Sequence, residues 1–386
     1  MMQQVLQRVD KQFERWIFDS FQVTPEGLAL YRICFAAYFL LFGVPSFVWI
    51  GDNPAAFYDP PISLAYFFNS FPSYAVLQAL STLICLLFIM LFFGYHTRFV
   101  SVLLTISLII ANSFRYSFGK IDHEILPVIV PLVMSFSAWG SRCSVDAVLE
   151  TTTAQGQPQA PQAPTWPITL VALCISVGFL SAGLPKLFRW IDFNLSTHGV
   201  HAWVIQSFFM REHPTLLLPV FAKVTNPYFW EALDMLAVAF ELGFAVALLI
   251  PHLFRAYIGF AIVFHFLNHL MLNIPFVEYI SVYMLFLNWD HLFSYLDSKK
   301  IIDWIKRLTT LKHMLIFSVA YLPIYYLAQE HSVMQASLTA SPAHLIFGTI
   351  LGLDYFYFRG TLILFPAFGI ILFMGLLKLK CVLRGW

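Results

Sequence analysis

The sequence predicts an all-α, polytopic bundle of transmembrane helices, with about ten spans and further amphipathic helices on the membrane surface. Three observations predict it. Of 386 residues, 59% are hydrophobic and only 11% are charged, whereas about a quarter of the residues of a soluble globular chain are charged. Phenylalanine alone contributes 41 residues. The apolar residues are gathered into runs that, with their aromatic flanks, can cross a hydrocarbon core of about 30 Å. A formal net charge of +1 with no basic or acidic tail carries no electrostatic footprint for nucleic acid, so the expected partner is the bilayer.

The runs follow in order. The first extends from Leu28 to Ile50, the second from Ala75 to Phe93 and the third from Val100 to Phe114. Ile125–Trp139, Trp166–Leu187 and Phe229–Ile250 are the fourth to sixth. Ala256–Met271, Phe276–Leu292, Met314–Leu327 and Leu362–Leu379 complete the set. Several are short, so their helices must continue into the flanks to span. Helices are required because lipid cannot satisfy an open backbone. The alternating strands of a membrane barrel are absent from the sequence pattern.

Basic residues orient the spans. Arg8, Lys11 and Arg15 precede the first run, Arg98 separates the second and third, and Arg142 follows the fourth. Arg255 lies between the sixth and seventh. Lys299, Lys300, Lys306, Arg307 and Lys312 lie before the ninth, and Lys378, Lys380 and Arg384 close the chain. The loop from Gly51 to Tyr74 has neither lysine nor arginine. This alternation fits ten spans with both termini cytoplasmic. The short segment Ala343–Phe356 breaks it, and is expected to be re-entrant or interfacial.

The rest of the chain divides around these runs. Residues 1–27 form a cytoplasmic segment in which Val5, Val9, Phe13, Trp16 and Phe21 recur at helical spacing, the pattern of a surface amphipathic helix. Mixed charges stand where a signal peptide would carry its apolar core. Residues 28–150 hold the first group of spans. The stretch TTTAQGQPQAPQAP within 151–165 reads as a flexible cytoplasmic linker. Residues 166–298 hold a second group with an outer loop at 189–228, expected to include a helix over the site. Residues 299–386 open with a second interfacial helix, KKIIDWIKRL, and end with the last spans. No internal repeat is visible. Cys34, Cys85, Cys143, Cys174 and Cys381 form no CxxC pair. They predict free thiols, with no disulfide framework and no zinc-binding cysteines.

Charges inside spans are costly and are site candidates by default. Arg32 lies in the first span. Asp234 and Glu241 lie seven residues apart on one face of the sixth. These carboxylates can relay protons, hold a cation or pair with Arg32, and pairing is the expectation. Lys120, Asp122, His123 and Glu124 crowd the entrance to the fourth span, as a solvated turn or with His123 pointing into the bundle. His265, Asn268 and His269 form an HxxNH pattern on the seventh. Its histidines share a face, yet no third ligand follows. A neutral histidine bonded across the bundle is expected there, and no metal. Lys186 closes the fifth span in GFLSAGLPKLFRW. Pro185 should loosen the helix beside it, and Ser181, Ala182 and Gly183 permit close approach. A lysine among apolar groups gives up its proton more readily, because desolvation penalises its charged form, and so can act as a base. Snorkelling to the headgroups is the competing expectation.

Taken in order, these segments resemble the membrane domain of the vitamin K-dependent gamma-carboxylase, the HTTM family. LALYRICFAAYFLL is similar to the family's first span, and GYHTRFVSVLL to the turn into the third. IDHEIL followed by SVDAVL resembles the histidine loop and the Ser-x-Asp beyond the fourth span. FLSAGLPKLFRW is similar to the segment with the carboxylase's catalytic lysine, and FHFLNH to a later Phe-His-x-x-Asn element. The resemblance covers about residues 15–295. It implies that Lys186 is a base that deprotonates a reduced quinone of the vitamin K hydroquinone type, with His123 and His265 beside it. In that chemistry oxygen converts the quinol anion into a stronger base, which takes a glutamyl γ-proton before carbon dioxide adds. It implies action on a peptide or protein outside the cytosol, and a bacterial inner membrane for members of this size. The large soluble portion of the animal enzyme is not matched here, so a glutamyl substrate would need another docking surface. Members of this size include the sporulation-delaying protein B type, linked to maturation of a secreted peptide toxin. Three functions therefore compete. The first is a quinone-linked enzyme. The second is a non-catalytic membrane partner in peptide maturation or export. The third is a proton-coupled transporter using Asp234, Glu241 and His265, disfavoured by the missing repeat.

Overall fold

The computed structural model describes residues 2–119, 124–153, 164–210, 217–272, 274, 276–291, 298–334, 339–343, 345–347, 351 and 359–372. These residues are overwhelmingly helical, and the fold is an all-α membrane bundle. Six helices are long and apolar enough to cross a membrane. They are α2 (Pro25–Phe42), α3 (Tyr74–Phe93), α4 (Thr97–Arg115), α7 (Trp166–Trp190), α11 (Pro251–Leu272) and α14 (Leu311–Met334). Large apolar side chains such as Phe99, Phe188, Leu236, Phe260 and Val319 are exposed along the helices, where hydrocarbon would cover them. The remaining described helices are α1 (Met2–Asp19), α5 (Ile125–Met134), α6 (Val145–Thr153), α8 (Gly199–Met210), α9 (Leu218–Phe221), α10 (Pro227–Ala247), α12 (Glu278–Tyr283), α13 (Ser298–Leu308) and α15 (Arg359–Leu372). The chain folds as two units, Met1–Leu170 with Ser281–Leu353, and Val171–Ile280 with Asp354–Trp386.

In the first unit the polar residues decide where helices begin and end. Thr24 caps α2 by accepting from Gly27 N at 3.1 Å, with Pro25 in the first turn. The helix stops at Phe42 rather than continuing to Ile50. Gly43 donates back to Phe39 O, Pro45 follows, and Val44–Pro45 pairs antiparallel with Thr339–Ala340. Gly94 closes α3 in the left-handed region at φ +68° and donates to Leu91 O and Met90 O. A β-carbon there would lie 2.4 Å from Nη1 of Arg32, so glycine is required both for conformation and for space. Asp146 then caps α4. Its carboxylate accepts from His96 N at 2.7 Å, Thr97 N at 2.8 Å and Thr97 Oγ1 at 2.7 Å.

Arg32 is fully buried beside these caps. It donates to the carbonyls of Trp139 at 3.1 Å and Cys143 at 2.6 Å. The pairing with Asp234 or Glu241 expected from the sequence is therefore corrected. Backbone oxygens take up both terminal nitrogens of the guanidinium, and the partners it meets are carbonyls rather than carboxylates. The three motifs LALYRICF, GYHTRF and SVDAVL thus meet in one polar knot.

The fourth apolar run gives a shorter helix than Ile125–Trp139. α5 has 10 residues, about 15 Å of helix, half a hydrocarbon core. Pro131 lies inside it. Thr105 of α4 inserts at the break, accepting from Leu132 N at 3.1 Å and donating to Val128 O at 3.0 Å. Beyond Met134, Ser135 and Ser137 bond back to Leu132 O and Met134 O, and turns follow. The eighth run is also not one helix. α12 tightens into a 3-10 turn at Met284–Phe286, Leu287 is extended, and the Trp289 indole takes the Met284 carbonyl at 3.0 Å. α14 is longer than its run and packs through a polar stripe at four-residue spacing. Tyr321 donates to Leu40 O at 2.5 Å, Tyr325 to Ser81 O at 3.3 Å, and Gln329 to Ser46 Oγ at 3.0 Å.

The two amphipathic segments are helices. α1 leaves Val9, Phe13 and Phe18 exposed and is tied to α7 where Thr169 donates to Ile17 O at 2.9 Å. α13 exposes Trp304 and carries Lys306 and Arg307 in its last turn. Exposed apolar residues beside charges suit the membrane interface. Cys34, Cys85, Cys143 and Cys174 are free thiols, and Cys381 lies outside the described residues. So do residues 154–163 of the linker, most of Ala343–Phe356, and the end of the last run.

Replacing Arg32 with Met strips two buried carbonyls of their donors, and should cost about 3 kcal/mol. Thermal unfolding of the detergent-solubilised chain should show a midpoint several degrees lower. A midpoint within about 2 °C of the parent would show that the knot does not hold the unit together.

Candidate functional site

The second unit assembles most of the polar intramembrane residues. α7 runs unbroken through Pro185 to Trp190. The expected loosening at Pro185 does not interrupt the helix, which loses one backbone bond there. Of the three small residues before it, Gly183 is the one that brings α7 against α10. A β-carbon there would lie 3.0 Å from Cβ of Glu241. One turn further, Lys186 Nζ pairs with Oε1 of Glu241 and lies 5.0 Å from the centroid of the Trp190 ring. The lysine side chain is 27% exposed and the glutamate 4%. Lys186 thus turns toward a buried carboxylate on α10.

Asp234 has a different task on the same helix. Its two oxygens accept from Gly199 N at 2.8 Å and Val200 N at 2.7 Å, so it caps α8 from another element. The two carboxylates that share a face therefore go to separate partners. α8 occupies the HAWVIQSFFM stretch of the outer loop, with α9 after it; residues 211–216 lie outside the described residues.

His265 is buried on α11 in a surround of rings. Its centroid lies 5.0 Å from Phe276, 5.7 Å from Tyr279, 5.8 Å from Phe264 and 6.2 Å from Phe179. Phe179 stacks on Phe244 with centroids 4.1 Å apart and planes 2° from parallel. Phe179 precedes Lys186 by two helical turns, about 10 Å along the axis, and Phe244 follows Glu241 by one. An aromatic layer thus joins the Lys186–Glu241 pair to His265. His269, one turn beyond His265, bonds through Nε2 to Thr361 Oγ1 at 3.1 Å. Asn268 is half-buried between them. Arg359 at the start of α15 pairs with Glu278. Arg32 belongs to the first unit, and Asp122 and His123 lie outside the described residues.

The arrangement can hold and move a proton. An ion pair withdrawn from water loses several kcal/mol of solvation per ion, which only good geometry and close charge recover. Transfer of the lysine proton to Glu241 leaves an uncharged amine and an uncharged acid. The rings around Phe179 and His265 pack against one another in an apolar layer. Two polar residues beside Asp234, Glu231 and His198, carry no family motif. The available signal was the third acid on an otherwise apolar helix, Glu231 at three residues before Asp234.

Removing one partner of the Lys186–Glu241 pair leaves the other charged and unmatched. Lys186→Met and Glu241→Gln should each cost about 2–3 kcal/mol, and the double variant less than their sum. A double-mutant cycle on unfolding free energies measures this. Strict additivity would mean that the two groups do not interact.

The HTTM domain family model matches residues 22–291, 270 of the 386 residues. No curated protein and no solved structure matches the chain. The matched region takes in the Arg32 knot, the Lys186–Glu241 pair and the ring-lined His265. The family is membrane-associated and related to the gamma-carboxylase. The chain belongs to the HTTM family.

Proposed function

We propose that this protein is a quinol-dependent membrane enzyme that modifies a peptide or protein on the non-cytoplasmic side of a bacterial inner membrane, with Lys186 as its proton acceptor. The observation that carries this is the pairing of Lys186 with the buried carboxylate of Glu241 at the end of a membrane-spanning helix. A base in such a place needs somewhere to leave its resting proton. Glu241 Oε1 is in contact with the ammonium and can take that proton without water. The amine so freed is then able to accept one from a substrate hydroxyl. The indole of Trp190 shields one side of the lysine.

A reduced quinone of the vitamin K type, when bound, would supply the acidic hydroxyl and the electrons for reaction with oxygen. The rings of Phe179, Phe264, Phe276 and Tyr279 around His265 suit the binding of such a planar group. His265 would orient it from within the bundle. His123 retains its role from the family resemblance. The distribution of basic residues supports cytoplasmic termini, and with them an end of α7 on the opposite side. The transporter alternative is weakened because Asp234 is engaged in capping α8 and Glu241 in holding Lys186.

The test uses the full chain in lipid nanodiscs with a reduced naphthoquinone, reading oxygen uptake and acylation of Lys186. Wild type should consume oxygen only with the quinol present, and the quinol should slow acylation of Lys186. Lys186→Met should lower quinol-dependent uptake by about 100-fold or more, and Glu241→Gln should lower it less. Absence of quinol-dependent uptake and of protection would overturn the proposal, leaving a non-catalytic partner in peptide maturation.

A further inference from the structure

On the second unit, His198, Glu231 and Asp234 bring one imidazole and two carboxylates together, with ligand atoms all within 4.8 Å of one another. Glu231 and Asp234 lie three residues apart on one face of α10, and His198 immediately precedes α8. The His198 side chain is 5% exposed, that of Glu231 9%, and Asp234 is fully buried. Among the described residues no lysine or arginine pairs with either carboxylate, and neither oxygen of Glu231 has a hydrogen-bond partner. A buried carboxylate without a donor is costly, so something positive belongs beside it.

The histidine is set up to be that site's nitrogen ligand. Its Nε2 lies 3.1 Å from the carbonyl of Leu195. A carbonyl only accepts, so Nε2 carries the hydrogen, and in the neutral ring Nδ1 keeps its lone pair. That lone pair faces Oε2 of Glu231 at 3.5 Å, which is long for an N–H···O hydrogen bond of about 2.9 Å. It is close to the separation of about 3.4 Å between two ligands of a tetrahedral ion with bonds near 2.0–2.1 Å. A histidine that gives its other N–H to a backbone carbonyl is the usual outer-shell arrangement of a metal ligand. Asp234 is likewise held from outside, by Gly199 N and Val200 N, each of its oxygens keeping a further lone pair. The loop that delivers His198 is braced by Asp192, whose carboxylate accepts from Asn194 N at 2.9 Å and Thr197 Oγ1 at 3.1 Å.

We propose that His198 Nδ1, Glu231 and Asp234 bind a divalent transition-metal ion of the zinc class. One nitrogen and two carboxylate oxygens suit that class and fill three of four tetrahedral positions, leaving the fourth for water or a substrate oxygen. The ion would clamp the loop before α8 onto α10, about two turns along that helix from Glu241. The site stands independently of the quinol chemistry at Lys186.

The probe is Co²⁺ alone, titrated into the full, untagged chain in detergent after chelator treatment and gel filtration to confirm a monodisperse fold. The expected result is about one Co²⁺ per chain, with visible ligand-field bands of a low-symmetry site, displaced by Zn²⁺. His198→Ala and the near-isosteric Glu231→Gln should each weaken binding at least about 10-fold. Less than about 0.2 Co²⁺ per folded wild-type chain would overturn the site and leave a His198–Glu231 pair held by a proton. Undiminished binding in a folded Glu231→Gln variant would overturn it equally, by locating the metal elsewhere. The wild-type titration decides the matter even if a variant fails to fold.

Discussion

Hydrocarbon offers no hydrogen bonds, so every polar group that enters the bundle must bring its partner with it. That constraint explains the placement of the polar residues more fully than their charge does. Arg32 reaches two backbone carbonyls. Asp146 gathers the free N–H groups at the start of α4. Thr105 repairs the break that Pro131 makes in α5. These side chains answer backbone groups, which are present wherever a helix starts, stops or bends. The first unit is therefore built from apolar helices whose ends are tied by a few polar side chains, with Gly94 leaving room for the guanidinium to sit among them.

The second unit meets the same constraint with groups that can also change state. Asp234 spends its hydrogen bonds on the start of α8, a structural use like that of Asp146. Lys186 and Glu241 answer each other, and a pair of titratable groups can satisfy itself in two ways, charged or neutral. A proton can then shift within the pair without leaving either group unmatched. The Phe179–Phe244 stack lies about two turns away along α7 and adds a planar aromatic layer. Glu231 stands out against this background, because it is buried yet has no hydrogen-bond donor among the described residues.

Much of the fold was legible along the chain. Runs of apolar residues located α3, α4, α7, α10 and α11 to within a few residues, since a spanning helix must be apolar over most of its length. The amphipathic periods of α1 and α13 were equally visible, because a surface helix writes its two environments into consecutive turns. The misplacements share a cause. Hydropathy carries the first run past Phe42 to Ile50, makes the fourth a full span and makes the eighth one helix. In each, local chemistry takes the segment off the helical path: Gly43 closes α2 and Pro45 follows in the first, Ser135 Oγ donates to the Leu132 carbonyl in the fourth, and the Trp289 indole donates to the Met284 carbonyl in the eighth. Hydropathy does not register such bonds.

The candidate site divides along the same line. Lys186, Glu241, Asp234, His265 and Arg32 drew notice from sequence because a polar residue in an apolar run is expensive and so needs a reason. Their partners could not be assigned that way. Arg32, expected to meet carboxylates, meets carbonyls, and His198 sits in a polar loop where a histidine draws no notice. Composition and hydropathy by themselves determined that this is an all-helical membrane protein, because solvation acts on each segment separately. Which polar groups meet was decided only by the tertiary structure. Hydrogen bonds and ion pairs depend on distances of a few ångströms between residues far apart in the chain, and only the packed helices set those distances.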